Sequence, residues 1–128
     1  MSTLNVSNIT DGTTTVGTSY VVNGSAKVWV NFNGTGTISI RDSLNGSSLT
    51  DNGTGLYILN NSSNMANTNY STNSYAHKTS GTDGQYRVIA TGYRGPQTSN
   101  LGIHTGTAQI DNTVDAPVVT AQCFGDLA

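Results

Sequence analysis

Glutamate is absent from this 128-residue chain, lysine occurs twice, and charged residues of all kinds make up 9% of it. Helices draw heavily on Glu, Lys, Ala and Leu, so this composition offers little material for them. The five Lys and Arg residues are spread along the sequence with no basic cluster to follow a phosphate backbone, which argues against nucleic-acid binding. No run of about 18 apolar residues occurs, so we expect no insertion into a membrane.

Cysteine is almost as scarce. The single Cys123 cannot form a disulfide within the chain, and no histidine or basic residue lies next to it in sequence to activate the thiol. We therefore expect it to be a small buried strand residue. The polar opening also lacks the basic-then-apolar pattern of a secretory leader, so the Asn-x-Ser/Thr sequons are interpreted as turn chemistry and not as glycosylation sites.

What the chain has in abundance is small polar residues. Asn, Ser, Thr and Gly together account for 64 of the 128 positions. Thr, Val, Ile and Tyr favour strands, whereas Gly, Asn, Asp and Ser favour turns. The net charge of −2 and the regularly spaced apolar residues are unlike a disordered chain. The composition predicts one all-β domain.

Asn-Gly dipeptides punctuate the first half of the chain, at residues 23–24, 33–34, 45–46 and 52–53. Asn-Gly tolerates positive φ at both centres of a tight hairpin turn, so this recurrence predicts a β-meander. The architecture expected for residues 14–128 is a single antiparallel β-sandwich, jelly-roll-like. Its predicted strands cover residues 14–22, 25–32, 36–44, 54–60, 70–78, 85–93, 101–110 and 117–124.

The first 13 residues are predicted to form an extended N-terminal arm. Leu4, Val6 and Ile9 are its apolar residues, and Asp11-Gly12 closes it. So few apolar side chains cannot hold an arm against its own domain, so we expect these three to dock onto another protein.

Two predicted strands are apolar on both faces. Trp29 interrupts the polar face of strand 25–32, and Ile89 does the same in strand 85–93. One sandwich core does not use both faces, so Trp29 and Ile89 are candidate subunit contacts.

Two polar stretches, 60–75 and 92–100, are long for loops of a compact sandwich. They carry Tyr70, Tyr75, Tyr93 and Arg94, side chains that can stack on sugars or hydrogen-bond to them. These four are the candidate exposed recognition residues.

Residues for covalent chemistry are not grouped. His77 and His104 fall on different predicted strands, no G-x-S-x-G context marks a nucleophile, and no glutamate is present to act as a glycosidase acid. Asp51-Asn52-Gly53 lacks the spacing of a calcium loop. We expect no enzymatic activity, no catalytic residue, no cofactor and no metal.

Three segments resemble a known kind of module. They are KVWVNFNGTG at 27–36, ISIRDS at 38–43 and LTDNGTGLY at 49–57. Together they are similar to a pattern of bacteriophage tail-fibre and virion structural proteins, and the ending Cys123-Phe124-Gly125-Asp126 is similar to the short ending of such proteins. The resemblance implies a component of a phage particle, exposed at the virion surface after assembly in the host cytoplasm, and a homotrimer.

The function expected from these observations is that of a non-enzymatic virion structural protein, a small trimeric surface projection. A head decoration, or cement knob, needs little more than one domain and an arm, so it is preferred. The alternative is a tail fibre or spike component that binds a host-surface glycan, and a further alternative is a cellular carbohydrate-binding module. Its partners would be its own copies and either the major capsid protein or tail components.

Overall fold

Two four-stranded antiparallel sheets make up most of the chain. A computed structural model describes residues 1–77, 86–89, 94–107 and 113–128, with residues 86–89 and 107 described by their backbone. The first sheet has the strand order β4-β3-β10-β7, and the second has the order β5-β6-β9-β8. The strands are β3 (Ala26–Asn33), β4 (Ser39–Leu44), β5 (Gly46–Asp51), β6 (Leu56–Asn61), β7 (Ser71–His77), β8 (Tyr86–Ile89), β9 (Asn100–Thr107) and β10 (Val118–Phe124). The all-β prediction is confirmed.

Alternation of apolar and polar residues decides which face of each central strand is buried. In β3, Val28, Val30 and Phe32 are buried, while Trp29 and Asn31 between them are only half-buried. Successive side chains of a strand point to opposite faces, so one face of β3 packs inward and the other looks outward. The same alternation buries three residues of β10, Val119, Ala121 and Cys123.

The buried faces of both sheets contribute to one hydrophobic core. Phe32 of the first sheet meets Tyr57 of the second edge to face, with ring centroids 5.0 Å apart and an interplanar angle of 70°. Aromatic pairs in this geometry are favourable beyond the area they bury. The core consists of Val28, Val30, Phe32, Tyr57, Leu59, Met65, Ala76, Leu101, Ile103, Ala116, Val119, Ala121 and Cys123.

The Asn-Gly dipeptides do not all close hairpins. Asn52-Gly53 does, between the paired strands β5 and β6, with Gly53 at φ 119°. Asn45-Gly46 instead connects β4 of the first sheet to β5 of the second, and Asn45 takes the left-handed conformation at φ 59°. The predicted simple meander is therefore wrong at this point, because the chain crosses from one sheet to the other there.

The N-terminal region contains a hairpin and a helix. Strands β1 (Asn8–Thr10) and β2 (Thr15–Gly17) pair with each other, and helix α1 (Thr18–Gly24) follows. The predicted strand 14–22 is wrong over its second half, because Thr18 hydrogen-bonds back to Val6 and Ser7 and the chain turns into a helix. No helix in the described residues is long and apolar enough to cross a bilayer.

The sequence also missed strand β5. Its sequence GSSLTD holds one apolar side chain, Leu49, so no alternation was visible. Pairing with β6 makes it a strand, since the antiparallel register from Ser48↔Asn60 to Asp51↔Tyr57 gives its backbone ladder partners there. The other predicted strands match the structure within a few residues, except where 78–85, 90–93 and 108–112 lie outside the described residues.

Candidate functional site

A grid of outward-facing side chains lines a groove on the first sheet. Gln122 of β10 is paired with Trp29 of β3 on one side and with Asn73 of β7 on the other. Two residues back along β10, Thr120 is paired in the same way with Asn31 and Tyr75. These six residues line an open cavity of about 330 Å³, and we call it the Trp29–Tyr75 groove.

The sequence places these six side chains outward because their strand neighbours are needed inside. Val30, between Trp29 and Asn31, is 1% exposed, and Ala121, between Thr120 and Gln122, is 3% exposed. Burying these neighbours forces the intervening residues to the opposite face of the sheet. The groove is thus the reverse side of the core-forming strands, which gives it a rigid floor.

Aromatic rings stand at two opposite corners of the grid. Trp29 is half-buried, whereas Tyr75 is 58% exposed and stacks against His77 with ring centroids 6.1 Å apart. The strand β10 lies between them, so strand spacing and rise separate their Cα atoms by about 12 Å. The two rings can therefore contact two different parts of one extended ligand.

Side-chain amides occupy three of the remaining grid positions. Asn31 Oδ1 accepts a hydrogen bond from Arg41 Nη1 at 3.2 Å, and Arg41 Nη2 donates to the Pro117 carbonyl at 2.6 Å, so this amide is held in place. Among the described residues, the side chains of Asn73 and Gln122 have no hydrogen-bond partner. Their donors and acceptors are available to a ligand.

Among the described residues, the lining of the groove contains no charged side chain. Arg41 lies beside it, but its guanidinium is already engaged with Asn31 and Pro117. In the described part of the chain no group of three His, Cys, Asp or Glu side chains is placed to hold a metal ion. The arrangement is suited to a polar, uncharged ligand.

A second polar cluster lies inside the protein. The Tyr57 hydroxyl is 2.7 Å from the Gly34 carbonyl oxygen and 2.8 Å from Asp115 Oδ1, and Asp115 also accepts a hydrogen bond from the Gly55 backbone N–H at 2.7 Å. Burial, together with the neighbouring Asp115 carboxylate, raises the pKa of Tyr57 well above its usual value. A phenol held neutral in this way acts as a structural link.

The structure places two of the predicted site residues together. Trp29, predicted as a subunit contact, and Tyr75, predicted as a recognition residue, line the same groove. Ile89 ends strand β8, which with β5 is one of the two edge strands of the second sheet among the described residues.

The other predicted recognition residues lie elsewhere. The Tyr70 hydroxyl donates to the Gln97 carbonyl and accepts from the Gln97 N–H, both at 3.0 Å, and its ring packs against the core. Burial raises the pKa of Tyr70. Arg94 is exposed, and Tyr93 lies outside the described residues.

The predicted docking residues are exposed. Leu4 is 83% exposed, Val6 39% and Ile9 46%. Further apolar side chains that sequence reasoning did not single out join them on the hairpin and helix α1. These are Val16, Tyr20, Val21 and Val22. Met1 is exposed as well, and we call residues 1–25 with these eight exposed apolar side chains the N-terminal segment.

Neither histidine nor the cysteine forms part of the groove lining. His77 lies on the first sheet beside Tyr75, and His104 lies on the second. Cys123 is buried, as expected, and burial raises its pKa to about 11. A thiol protonated at neutral pH is a poor nucleophile.

Sequence reasoning missed the four polar residues of the groove, Asn31, Asn73, Thr120 and Gln122. Each sits at an outward position of a correctly predicted strand, so its direction could have been inferred. Their proximity could not, because it depends on β3, β10 and β7 being neighbours. Comparisons with models of protein families, with curated proteins and with solved structures gave no significant match.

Proposed function

We propose that this chain is a non-enzymatic bacteriophage virion protein, a small β-sandwich that projects from the particle surface. The observation that carries the proposal is the N-terminal segment, where eight large apolar side chains are exposed in a chain whose two sheets already share a core. Exposed apolar side chains concentrated in one segment are typical of a contact with another protein. The segment docks the sandwich onto the virion.

The N-terminal segment is organised by local hydrogen bonds. Hydrogen bonds among residues 6–18 hold its first part together: Asp11 Oδ1 accepts from the N–H groups of Thr13 and Thr14, and the Thr18 hydroxyl donates to the Ser7 carbonyl. The N–H groups of Thr13 and Thr14 also hold the pKa of Asp11 below its usual value. Lys27 of β3 donates to the Val22 and Ser25 carbonyls at the end of the segment. Helix α1 consists mostly of weak helix formers and has no side-chain N-cap bond, so a docking partner would stabilise it.

The resemblance to phage structural modules also supports this function. Two of its segments, around Gly34 and Tyr57, contact each other through the hydroxyl of Tyr57 and the carbonyl of Gly34. The segments that resemble phage structural modules therefore contact each other in the folded chain. A head decoration requires a domain and a docking segment, and this chain contains both, so we propose a position on the head, bound to the major capsid protein.

The proposed assembly is a homotrimer, with the subunit contact at the β8 edge that carries Ile89. Among the described residues β8 pairs only with β9, so its other edge offers backbone donors and acceptors to a neighbouring subunit. The face of the sheet that carries Trp29 is less suited to a subunit contact than the sequence suggested. Asn73 and Gln122 on that face would be buried without hydrogen-bond partners, and the centre of a subunit interface is usually more apolar.

A tail fibre or spike component is the second candidate. The Trp29–Tyr75 groove favours it, since two aromatic rings and several free amides suit a host-surface glycan. Immunogold labelling of intact particles from the phage that encodes the chain distinguishes the two positions. Label on the head supports a decoration protein, label on the tail supports a fibre, and particles without label exclude both.

The docking role is tested by changing Leu4, Val6 and Ile9 together to serine. We expect the variant to fold normally but to be lost from purified particles. Leu44→Ser is the matched control, because Leu44 is also an exposed leucine, at 48%, but lies on β4 outside the segment. Incorporation of the triple variant at full occupancy would show that the docking surface is elsewhere.

A further inference from the structure

We propose that the Trp29–Tyr75 groove binds a neutral oligosaccharide. This goes beyond the docking role, because the groove lies on the outward face of the first sheet and its lining includes no residue of the N-terminal segment. Binding is a property of the isolated chain, so it holds whether or not the chain belongs to a virion.

The chemistry of the lining selects the ligand class. Sugar rings have apolar faces of C–H groups and rims of hydroxyls, so they require aromatic surfaces together with hydrogen-bonding groups. Trp29 and Tyr75 supply the surfaces, and Asn73 and Gln122 supply amides that no side chain or backbone group of the described residues engages. Each unengaged amide can both donate to and accept from a hydroxyl.

The absence of charged side chains from the lining selects neutral saccharides over anionic ones. None of the described residues lining the groove is Lys, Arg, Asp or Glu, so an anionic saccharide would lose its water shell without gaining a counter-charge. Arg41 is not among the lining residues, and its Nη1 and Nη2 donate to Asn31 and to the Pro117 carbonyl. A neutral ligand has no such cost.

The geometry sets the ligand's length. The two rings stand about 12 Å apart across β10, as judged from strand spacing and rise. One monosaccharide cannot contact both. An oligosaccharide lying diagonally across the grid can stack on each ring while passing over Thr120 and Gln122 at the centre.

Another copy of the chain fits the groove less well. It would cover the rings, but it would also bury the free amides, and each polar group buried without a partner is unfavourable. A saccharide brings a hydroxyl for every amide and leaves its other groups in water.

The test uses the full chain and a panel of linear neutral hexasaccharides built from glucose, mannose or galactose. Trp29 is the only tryptophan, so intrinsic fluorescence reports directly on the groove, and calorimetry gives the affinity. We expect at least one member of the panel to shift the emission. Tyr75→Ala and Gln122→Ala should each weaken its binding about tenfold or more, the loss of one stacking or hydrogen-bonding contact to a charge-free ligand.

Tyr20→Ala is the matched control, because Tyr20 is a 76% exposed tyrosine on helix α1, outside the groove, and its removal should leave the affinity unchanged. Unfolding midpoints confirm that the variants fold. The proposal would be overturned if no member of the panel bound, or if binding survived both groove substitutions. It would also be overturned if the chain self-associated without sugar and Tyr75→Ala abolished that association, because the groove would then bind another copy of the chain.

Discussion

The hydroxyl of Tyr57 lies 2.7 Å from the carbonyl oxygen of Gly34 and links the start of the β3–β4 connection to β6. The Gly34 N–H in turn donates to the Ala116 carbonyl at 2.9 Å. This pair explains why a glycine is needed at position 34. Its φ is not in the left-handed region, so conformational freedom is not the reason. A Cβ there would stand 2.6 Å from the Tyr57 hydroxyl and 2.8 Å from the Ala116 oxygen.

The first prediction concerns this close approach. Gly34→Ala should lower the free energy of unfolding by about 1–3 kcal/mol, because the buried Tyr57 side chain and a backbone oxygen must move to admit the methyl group. Gly24→Ala is the control, since nothing lies within 4 Å of the Cβ it would add. Urea unfolding of the three proteins measures the difference, and equal midpoints would contradict the packing described here.

The second prediction concerns the hydroxyl itself. Tyr57→Phe keeps the ring against Phe32 but leaves the Gly34 carbonyl and Asp115 without that donor. We expect a loss of about 1–2 kcal/mol in the free energy of unfolding, the usual effect of removing one partner of a buried hydrogen bond. Tyr20→Phe, at an exposed position, should have no effect. A comparable loss in both variants would show that the hydrogen bonds of the buried Tyr57 hydroxyl do not stabilise the fold more than an exposed hydroxyl does.

The third prediction is a pH dependence from Cys123. Its pKa rises from 9.0 to about 11 in the folded protein because the thiol is buried. Between these values the unfolded chain releases the proton and the folded chain retains it, so stability should fall as pH rises through that window, and the thiol should have no such effect below it. Tyr57 adds to this fall only at higher pH, above its ordinary pKa of 10.0.

Cys123→Ala removes the thiol's contribution. The variant should be less stable at every pH, because a cavity replaces the sulfur, yet it should lose less stability than the unmodified chain between pH 8 and pH 10. Unfolding in urea at the two pH values measures this difference in slope. Parallel slopes would mean that the thiol titrates alike in the folded and unfolded states.

The fourth prediction concerns the crossing between sheets. Asn45 Oδ1 accepts from the Ser63 N–H at 2.7 Å and Nδ2 donates to the Ser63 carbonyl at 2.9 Å, while its backbone keeps φ at 59°. Asn45→Ala loses both bonds and adds backbone strain, which should cost about 1–3 kcal/mol. Asn45→Gly loses the bonds but relieves the strain, so it should be less destabilised. The opposite order in thermal unfolding would contradict this account.

Much of the fold was visible in the sequence because strand alternation is a local property. Val28, Val30 and Phe32 alternate with Trp29 and Asn31, and this pattern alone predicted which face is buried. Strand β5 was missed because it has a single apolar residue and is a strand through its pairing with β6. Helix α1 was missed because its run of Tyr and Val favours a strand, and only the contacts of Thr18 reveal the turn.

The sequence by itself determined that the chain is all-β and that Leu4, Val6 and Ile9 would not be buried in the core of their own domain. Composition and alternation act over a few residues, so both follow without knowledge of neighbours. Only the tertiary structure decided that Trp29 and Tyr75 share a groove with Gln122 between them. Their strands lie far apart in the chain, and what makes these residues adjacent is the pairing of β10 with both β3 and β7, which no local pattern reveals.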